Sequence, residues 1–274
     1  MTNPIAIAEQ ELKGRGIGSV HLDVNYAPGV ALMVIDNPQR HNAFSGKMMV
    51  EFRQHVLWLE SQAPQDLVAV IVTGSRGKAF CAGLDLEFAR EHMHSTPTLA
   101  LQVNQVMHDA LSRFARLPFI TVASMAGHAL GGGTELLTAF DYVCMASTAI
   151  IRFVQTRMGV SSPWGGARRL VNSVGRKTAL RILASAPKIT AEQGKAFGLV
   201  DVIVDNKQDI YEECLKASLL FLQPFVFDDR AGQDDRVSPG AIRGMKQLVV
   251  RADLDRDYEF EAAILAKLAG SSKI

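Results

Sequence analysis

MAGHALGGGTE, residues 125–135, lies between the apolar run FITVASMAG (119–127) and the segment TELLTAF (134–140). The order predicts a buried strand, a glycine turn at Gly131, Gly132 and Gly133, and then the first turn of a helix. Glycine lacks Cβ, so such a turn lets backbone N–H groups come close to a ligand. The start of a helix also presents unpaired N–H donors and the positive end of its dipole. An anion, or an oxygen becoming one, suits that position. Glu135 adds a carboxylate one helical turn beyond Gly132. The same residues also fit a glycine turn made for tight packing, with a solvated glutamate beside it.

Composition narrows the classes. A chain of 274 residues, 48% of them hydrophobic, can bury a sizeable core as one large domain or two small ones. Its 29 Lys and Arg against 28 Asp and Glu leave no basic excess, which argues against nucleic acid as the main partner. Local basic patches that meet a phosphate-bearing small molecule remain open. Cys81, Cys144 and Cys214 are an odd number without metal-like spacing, and read as reduced and packed. The opening MTNPIAIAEQELKGRG has acids and only a short apolar stretch, so it predicts neither a secretory signal nor a transit peptide. No stretch approaches the roughly 20 apolar residues of a membrane span. The expectation is a cytoplasmic protein with no membrane or nucleic-acid partner.

Along the chain, residues 18–36 predict a hairpin, GSVHLDV and VALMVID around a turn at Tyr26-Ala27-Pro28-Gly29. After the polar loop NPQRHNAFSG, a helix is predicted from Met48, Met49, Phe52, Val56 and Leu59 at three- and four-residue spacings. VAVIVTG (68–74) is a short buried strand, and SRGKAFCAGLDLEF (75–88) is the loop after it. An amphipathic helix follows over residues 97–116, stopped by Pro118. DYVCMAS and AIIRF predict strands, GARRLVNSVG and RKTALRILAS two helices, and LVDVIV a last strand. Helices are predicted over 207–222, 238–253 and 257–269, with the loop-like FVFDDRAGQDDRVSP (225–239) among them. Strands alternating with helices predict an α/β core over 1–205, followed by a helical region over 206–274.

Three stretches, IDNPQRHNAFSGKMM (35–49), GKAFCAGLDL (77–86) and HALGGGTELLTAFDYVCMA (128–146), together resemble the crotonase (enoyl-CoA hydratase/isomerase) superfamily. A fourth, IRFVQTRMGVSSPWGGARRLV (151–171), matches the family's next segment. The resemblance implies a ClpP-like spiral of ββα units built on two roughly perpendicular sheets. Its C-terminal helical region would serve trimerisation, giving a homotrimer or a dimer of trimers. It implies an acyl-CoA thioester substrate, CoA being part of the substrate and no other cofactor being needed. The backbone N–H groups of Leu84 and Gly132 would form an oxyanion hole for the thioester carbonyl. Asn42, Ala43, Ala82, Asp85 and Leu86 would line the CoA moiety, largely through backbone groups, and Arg40 and His41 could meet its phosphates. Gln155, Trp164 and Gly131 would border the acyl pocket. No His/Cys/Asp cluster appears at metal spacing, so no metal is expected.

The sequence departs from the family at one informative place. Family hydratases carry two glutamates that hold and activate a water. Glu135 matches the first, while Gln155 stands where the second is expected. A neutral amide cannot serve as a general base near pH 7. Efficient hydration is therefore disfavoured, whereas a one-glutamate site suits isomerisation or decarboxylation. Decarboxylation needs no base, because loss of CO₂ itself delivers electrons to the thioester as an enolate. Glu135 would then supply a proton or, if ionised, promote departure of the carboxylate. Within the family, the resemblance implies decarboxylation of ethylmalonyl-CoA or methylmalonyl-CoA, with metabolite repair as its expected purpose. The rivals are an enoyl-CoA isomerase or hydratase of fatty-acid metabolism and, less favoured, a non-catalytic scaffold or RNA-binding protein.

Overall fold

The structure is a computed structural model that describes residues 4–93, 97–205, 208–228 and 236–250. After α1 (Pro4–Leu12) comes the expected hairpin, β1 (Ser19–Ala27) and β2 (Val30–Asp36). Ser45 caps α2 (Gly46–Gln62), its hydroxyl accepting from the Met48 N–H. The buried face of α2 includes the apolar residues whose spacing predicted it.

Three ββα units follow. The first is β3 (Ala69–Gly74), β4 (Ala79–Cys81), the short α3 (Leu86–Phe88) and the long α4 (Pro97–Phe114). The second is β5 (Ile120–Met125), β6 (His128–Leu130) and α5 (Gly132–Leu137). The third is β7 (Tyr142–Ala146), β8 (Ile151–Arg152) and α6 (Gly166–Ser185). α7 (Ala191–Phe197), β9 (Val202–Val204), α8 (Ile210–Val226) and α9 (Pro239–Val250) complete the described chain. Within each unit the first strand joins a six-stranded sheet, ordered β1-β2-β3-β5-β7-β9 and parallel apart from the hairpin. The second strand joins a three-stranded parallel sheet, β4-β6-β8. This is the expected spiral.

Several local expectations need correction. The segment read as one loop, 75–88, contains β4 and α3, and a separate strand, β6, precedes the glycine turn. These strands are three residues long and exist through pairing with each other, so no hydrophobic period marks them. Between β5 and β6 the chain changes sheets at Gly127, where a Cβ would lie 2.6 Å from the Lys78 carbonyl oxygen. AIIRF keeps only two residues as strand. The two helices predicted over 166–185 form one element, broken at Gly175 (φ 76°, ψ 160°). α8 continues to Val226 and so absorbs the start of the expected 225–239 loop. The helix expected at 257–269 lies outside the described residues.

The core is a continuous apolar cluster crossed by a line of aromatic rings. Trp164 meets Phe44 (6.5 Å between centroids), Phe44 meets Phe52 (5.7 Å), Phe52 meets Phe114 (5.7 Å) and Phe114 meets Phe140 (5.0 Å). Offset and edge contacts of this kind add to plain area burial. On the other face of the large sheet, Leu215, Leu222 and Val226 of α8 pack with Ile71 and Val122. α9 is tied down by the buried Lys246, which pairs with Asp141. Arg53 of α2 pairs with Glu9 (2.9 Å) and Asp109 (2.7 Å), locking α1, α2 and α4 together. Among the described residues no helix is long and apolar enough to cross a membrane.

Asn42 fixes the loop after β2. It is fully buried with φ 57°, a left-handed conformation that asparagine tolerates better than most residues. Its Oδ1 accepts from the Asn37 N–H (3.0 Å) and the Ser75 hydroxyl (2.8 Å), and its Nδ2 donates to the carbonyls of Ser75 (2.9 Å) and Ala79 (2.8 Å). Asn42→Ala strands several buried groups at about 1–3 kcal/mol each. The expected outcome is a loss of roughly 3 kcal/mol or more, read as a lower urea midpoint at unchanged slope. Burial also pushes the thiols of Cys81 and Cys214 up to about 12 and that of Cys144 up to about 11. Because the thiolate is the reactive form, an aromatic disulfide reagent at pH 8 should leave the native protein unlabelled and titrate all three cysteines after denaturation.

Candidate active site

The glycines of the α5 turn are dictated by close approach. Gly131 has φ 53° and ψ −124°, which a side chain would resist. A Cβ on Gly133 would lie 2.0 Å from the Cys81 carbonyl oxygen, and one on Gly83 would lie 2.5 Å from the Gly132 nitrogen. The end of β4 and the start of α5 therefore meet backbone to backbone. Phe44 N–H donates to the Gly83 carbonyl (2.7 Å) and Asp85 N–H donates to the Phe44 carbonyl (3.0 Å). This short parallel bridge between Phe44 and Leu84 leaves the Leu84 N–H outside the ladder. The Gly132 N–H, in the first turn of α5, has no intrahelical acceptor. The two donors predicted for an oxyanion hole thus sit on adjoining stretches of backbone, both free of secondary-structure bonds.

Glu135 is 1% exposed. Its Oε2 accepts from the Ser162 hydroxyl (2.6 Å), the Trp164 N–H (2.9 Å) and the Gly166 N–H (3.1 Å), while Oε1 accepts from Gln155 Nε2 (3.3 Å). The Ser162 oxygen itself accepts from the Ala167 N–H (3.1 Å), which commits the hydroxyl proton to Glu135. All four partners are donors, the set that an acceptor-only, ionised carboxylate satisfies. One of them, the Gly166 N–H, opens α6, whose dipole favours negative charge, and Ser162 and Trp164 lie just before that helix. A Cβ on Gly166 would lie 2.6 Å from Glu135 Cγ, so that position too requires glycine. Arg169 braces the arrangement from behind, donating to the backbone carbonyls of Glu135 (3.1 Å) and Trp164 (2.8 Å) and to the Thr138 hydroxyl (3.3 Å). Burial draws its guanidinium down to about 10, with the Glu135 charge opposing that.

The structure brings Leu84, Gly131, Gly132, Glu135, Gln155 and Trp164 together. Trp164, 3% exposed, lies across Gly132, where a Cβ would be 2.3 Å from the ring, so the indole is packing that closes the floor of the site. Gln155, 7% exposed, also donates to the Gly131 carbonyl (3.1 Å). The residues proposed for CoA form an adjoining pair of loops. Ala82 N–H donates to the His41 carbonyl (3.1 Å), Ala43 is buried, and Leu86 is exposed. The side chains of Asn42 and Asp85 are engaged within the protein, Asp85 capping α3 through the Glu87 and Phe88 N–H groups. Arg40 pairs with Glu87 at the surface. Sequence reading passed over Ser162, Gly166 and Arg169. The signal was a Gly165-Gly166 pair opening a helix, the same kind of signal that marked Gly132.

The model of the enoyl-CoA hydratase/isomerase family matches residues 25–220. The chain belongs to that family. It is 42% identical over 205 residues to an ethylmalonyl-CoA decarboxylase of Danio rerio, covering 73% of this chain and 65% of that one. To the Bos taurus protein of the same name it is 35% identical over 232 residues, covering 85% and 70%. The chain thus spans about two thirds of the length of these relatives. Among solved structures, an enoyl-CoA hydratase from Bacillus anthracis superposes with a TM-score of 0.77 at 22% identity, covering 93% of this chain and 92% of that one. A Thermobifida fusca protein crystallised in complex with CoA superposes with a TM-score of 0.73 at 24% identity, covering 97% of each chain.

Gly132→Ala should displace the Trp164 ring and destabilise the protein by about 1–3 kcal/mol, as overpacking does. Adding Trp164→Leu should recover part of that loss, a coupling that a double-mutant cycle in thermal unfolding measures.

Proposed function

We propose that this family member decarboxylates a branched malonyl-CoA thioester, ethylmalonyl-CoA or methylmalonyl-CoA. The carrying observation is that Glu135 is engaged by four donors and faces an amide, Gln155, so that the site offers one acid and no second base. The names of the relatives described above support the same choice. Hydration needs a base to activate water, whereas loss of CO₂ needs none. As the C–C bond to the carboxylate breaks, its electron pair passes to the thioester, and charge gathers on the carbonyl oxygen. The Leu84 and Gly132 N–H groups are the donors assigned to that oxygen. A fixed donor of this type is worth on the order of 10²–10³ in rate, because it strengthens as charge develops. The carboxylate group departs as neutral CO₂, and its negative charge passes to the enolate oxygen, away from Glu135.

Asn42, Ala43, Ala82, Asp85 and Leu86 are assigned to the CoA moiety, through the two loops that they hold together. CoA enters as part of the substrate, and the reaction calls on no metal or redox group. We further assign the protein to the cytoplasm, to a homotrimer or dimer of trimers, and to the removal of wrongly carboxylated acyl-CoA thioesters.

The test supplies purified protein with ethylmalonyl-, methylmalonyl- and crotonyl-CoA in parallel, following CO₂ and thioester masses. The expected result is CO₂ from the branched malonyl thioesters with crotonyl-CoA unchanged. Hydration or isomerisation without CO₂ would replace this reading by the general family activity. Glu135→Gln keeps an oxygen for the three donors of Oε2 but removes the negative charge and sets an NH₂ group against Gln155 Nε2, and should lower decarboxylation by on the order of 10²-fold or more.

A further inference from the structure

Gln155 holds an unused acceptor inside the site. Its Nε2 faces two oxygens, the Gly131 carbonyl at 3.1 Å and Glu135 Oε1 at 3.3 Å. Turning the amide over would set its carbonyl against both, so this network fixes which end is nitrogen. Oε1 is then fully buried without a protein donor, on a side chain 7% exposed. A buried carbonyl in that condition is costly unless something donates to it.

The reading of the site as a decarboxylase leaves an enolate that must gain a proton. The sequence pointed to Glu135 as its source. In the fold, both carboxylate oxygens of Glu135 are met by donors, so a proton placed there would have no protein acceptor. We propose instead that the proton comes from a water molecule oriented by Gln155 Oε1, which makes Gln155 a positioning residue for the last step.

One O–H of this water donates to Oε1 and the other is directed at the α-carbon. That second O–H bond breaks as the new C–H bond forms, the electron pair for it coming from the enolate. The hydroxide left behind combines with the released CO₂. Substrate anion and water therefore become the decarboxylated thioester and bicarbonate, with charge and atoms balanced. A donor held on one side of the enolate delivers its proton to one face only.

The experiment, which rests on the decarboxylase reading, runs ethylmalonyl-CoA in D₂O with the wild type and Gln155→Met, a variant of similar length that lacks the acceptor. The configuration of the α-deuterated thioester is read together with CO₂ release. The expected wild-type product has a single configuration. In Gln155→Met, CO₂ release should fall less than tenfold while the product becomes close to racemic. A variant product that keeps one configuration overturns the proposal, and so does a racemic wild-type product. Gln155→Ala is the second variant should the Met variant not fold, with the same two outcomes. Absence of both CO₂ and bicarbonate from the wild type would count against the decarboxylase reading itself, a result separable from either of these.

Discussion

The arrangement of the site depends on two backbones meeting with no side chain between them. Where β4 ends and α5 begins, the space that a methyl group on Gly83 or Gly133 would fill is already taken by backbone atoms of Gly132 and Cys81. Only this separation lets the Leu84 and Gly132 amides lie on neighbouring surfaces. The two sheets exist, in effect, to hold that contact. β4 and β6 pair with each other in the small sheet, and β3 and β5, from which they continue, pair in the large one.

The second determinant is electrostatic. A buried carboxylate is tolerated when hydrogen bonds replace its lost hydration. Here the replacement comes from the α6 terminus and the segment before it, braced by Arg169 through backbone carbonyls. The guanidinium and the carboxylate influence one another at a distance, without a direct salt bridge between their charged groups in the contacts described for Arg169. Glu135 is consequently held by neutral dipoles. Such dipoles fix its position while keeping its negative charge available to the site.

Much of this was readable in the residues. The glycine run, the acid one turn later and the amide at 155 each carry side-chain identity, or the lack of a side chain, as the signal. The helices of the core were readable because their apolar spacing repeats over several turns, as in α2 and α4. β4, β6 and β8 were less readable, since strands of two or three residues have no period and are specified by their partners. The cradle of Glu135 was missed for a related reason. Two of its donors are backbone N–H groups at Trp164 and Gly166, and a backbone donor leaves no mark on the sequence beyond a glycine that makes room. Asn42 was assigned to CoA largely through its backbone, and the loop-holding work of its side chain carried no spacing by which to read it.

The donors to Glu135 all come later in the chain, 20, 27, 29 and 31 residues downstream. Synthesis proceeds from the N-terminus at about 5–20 residues per second. A nascent chain that has just released Glu135 therefore presents a carboxylate with none of its final partners, beside β5 and β6, whose neighbours β7 and β8 have yet to be made. The cradle of Glu135 is complete only after the chain has passed β7, β8 and Gly166 at the start of α6, well beyond the acid that it holds.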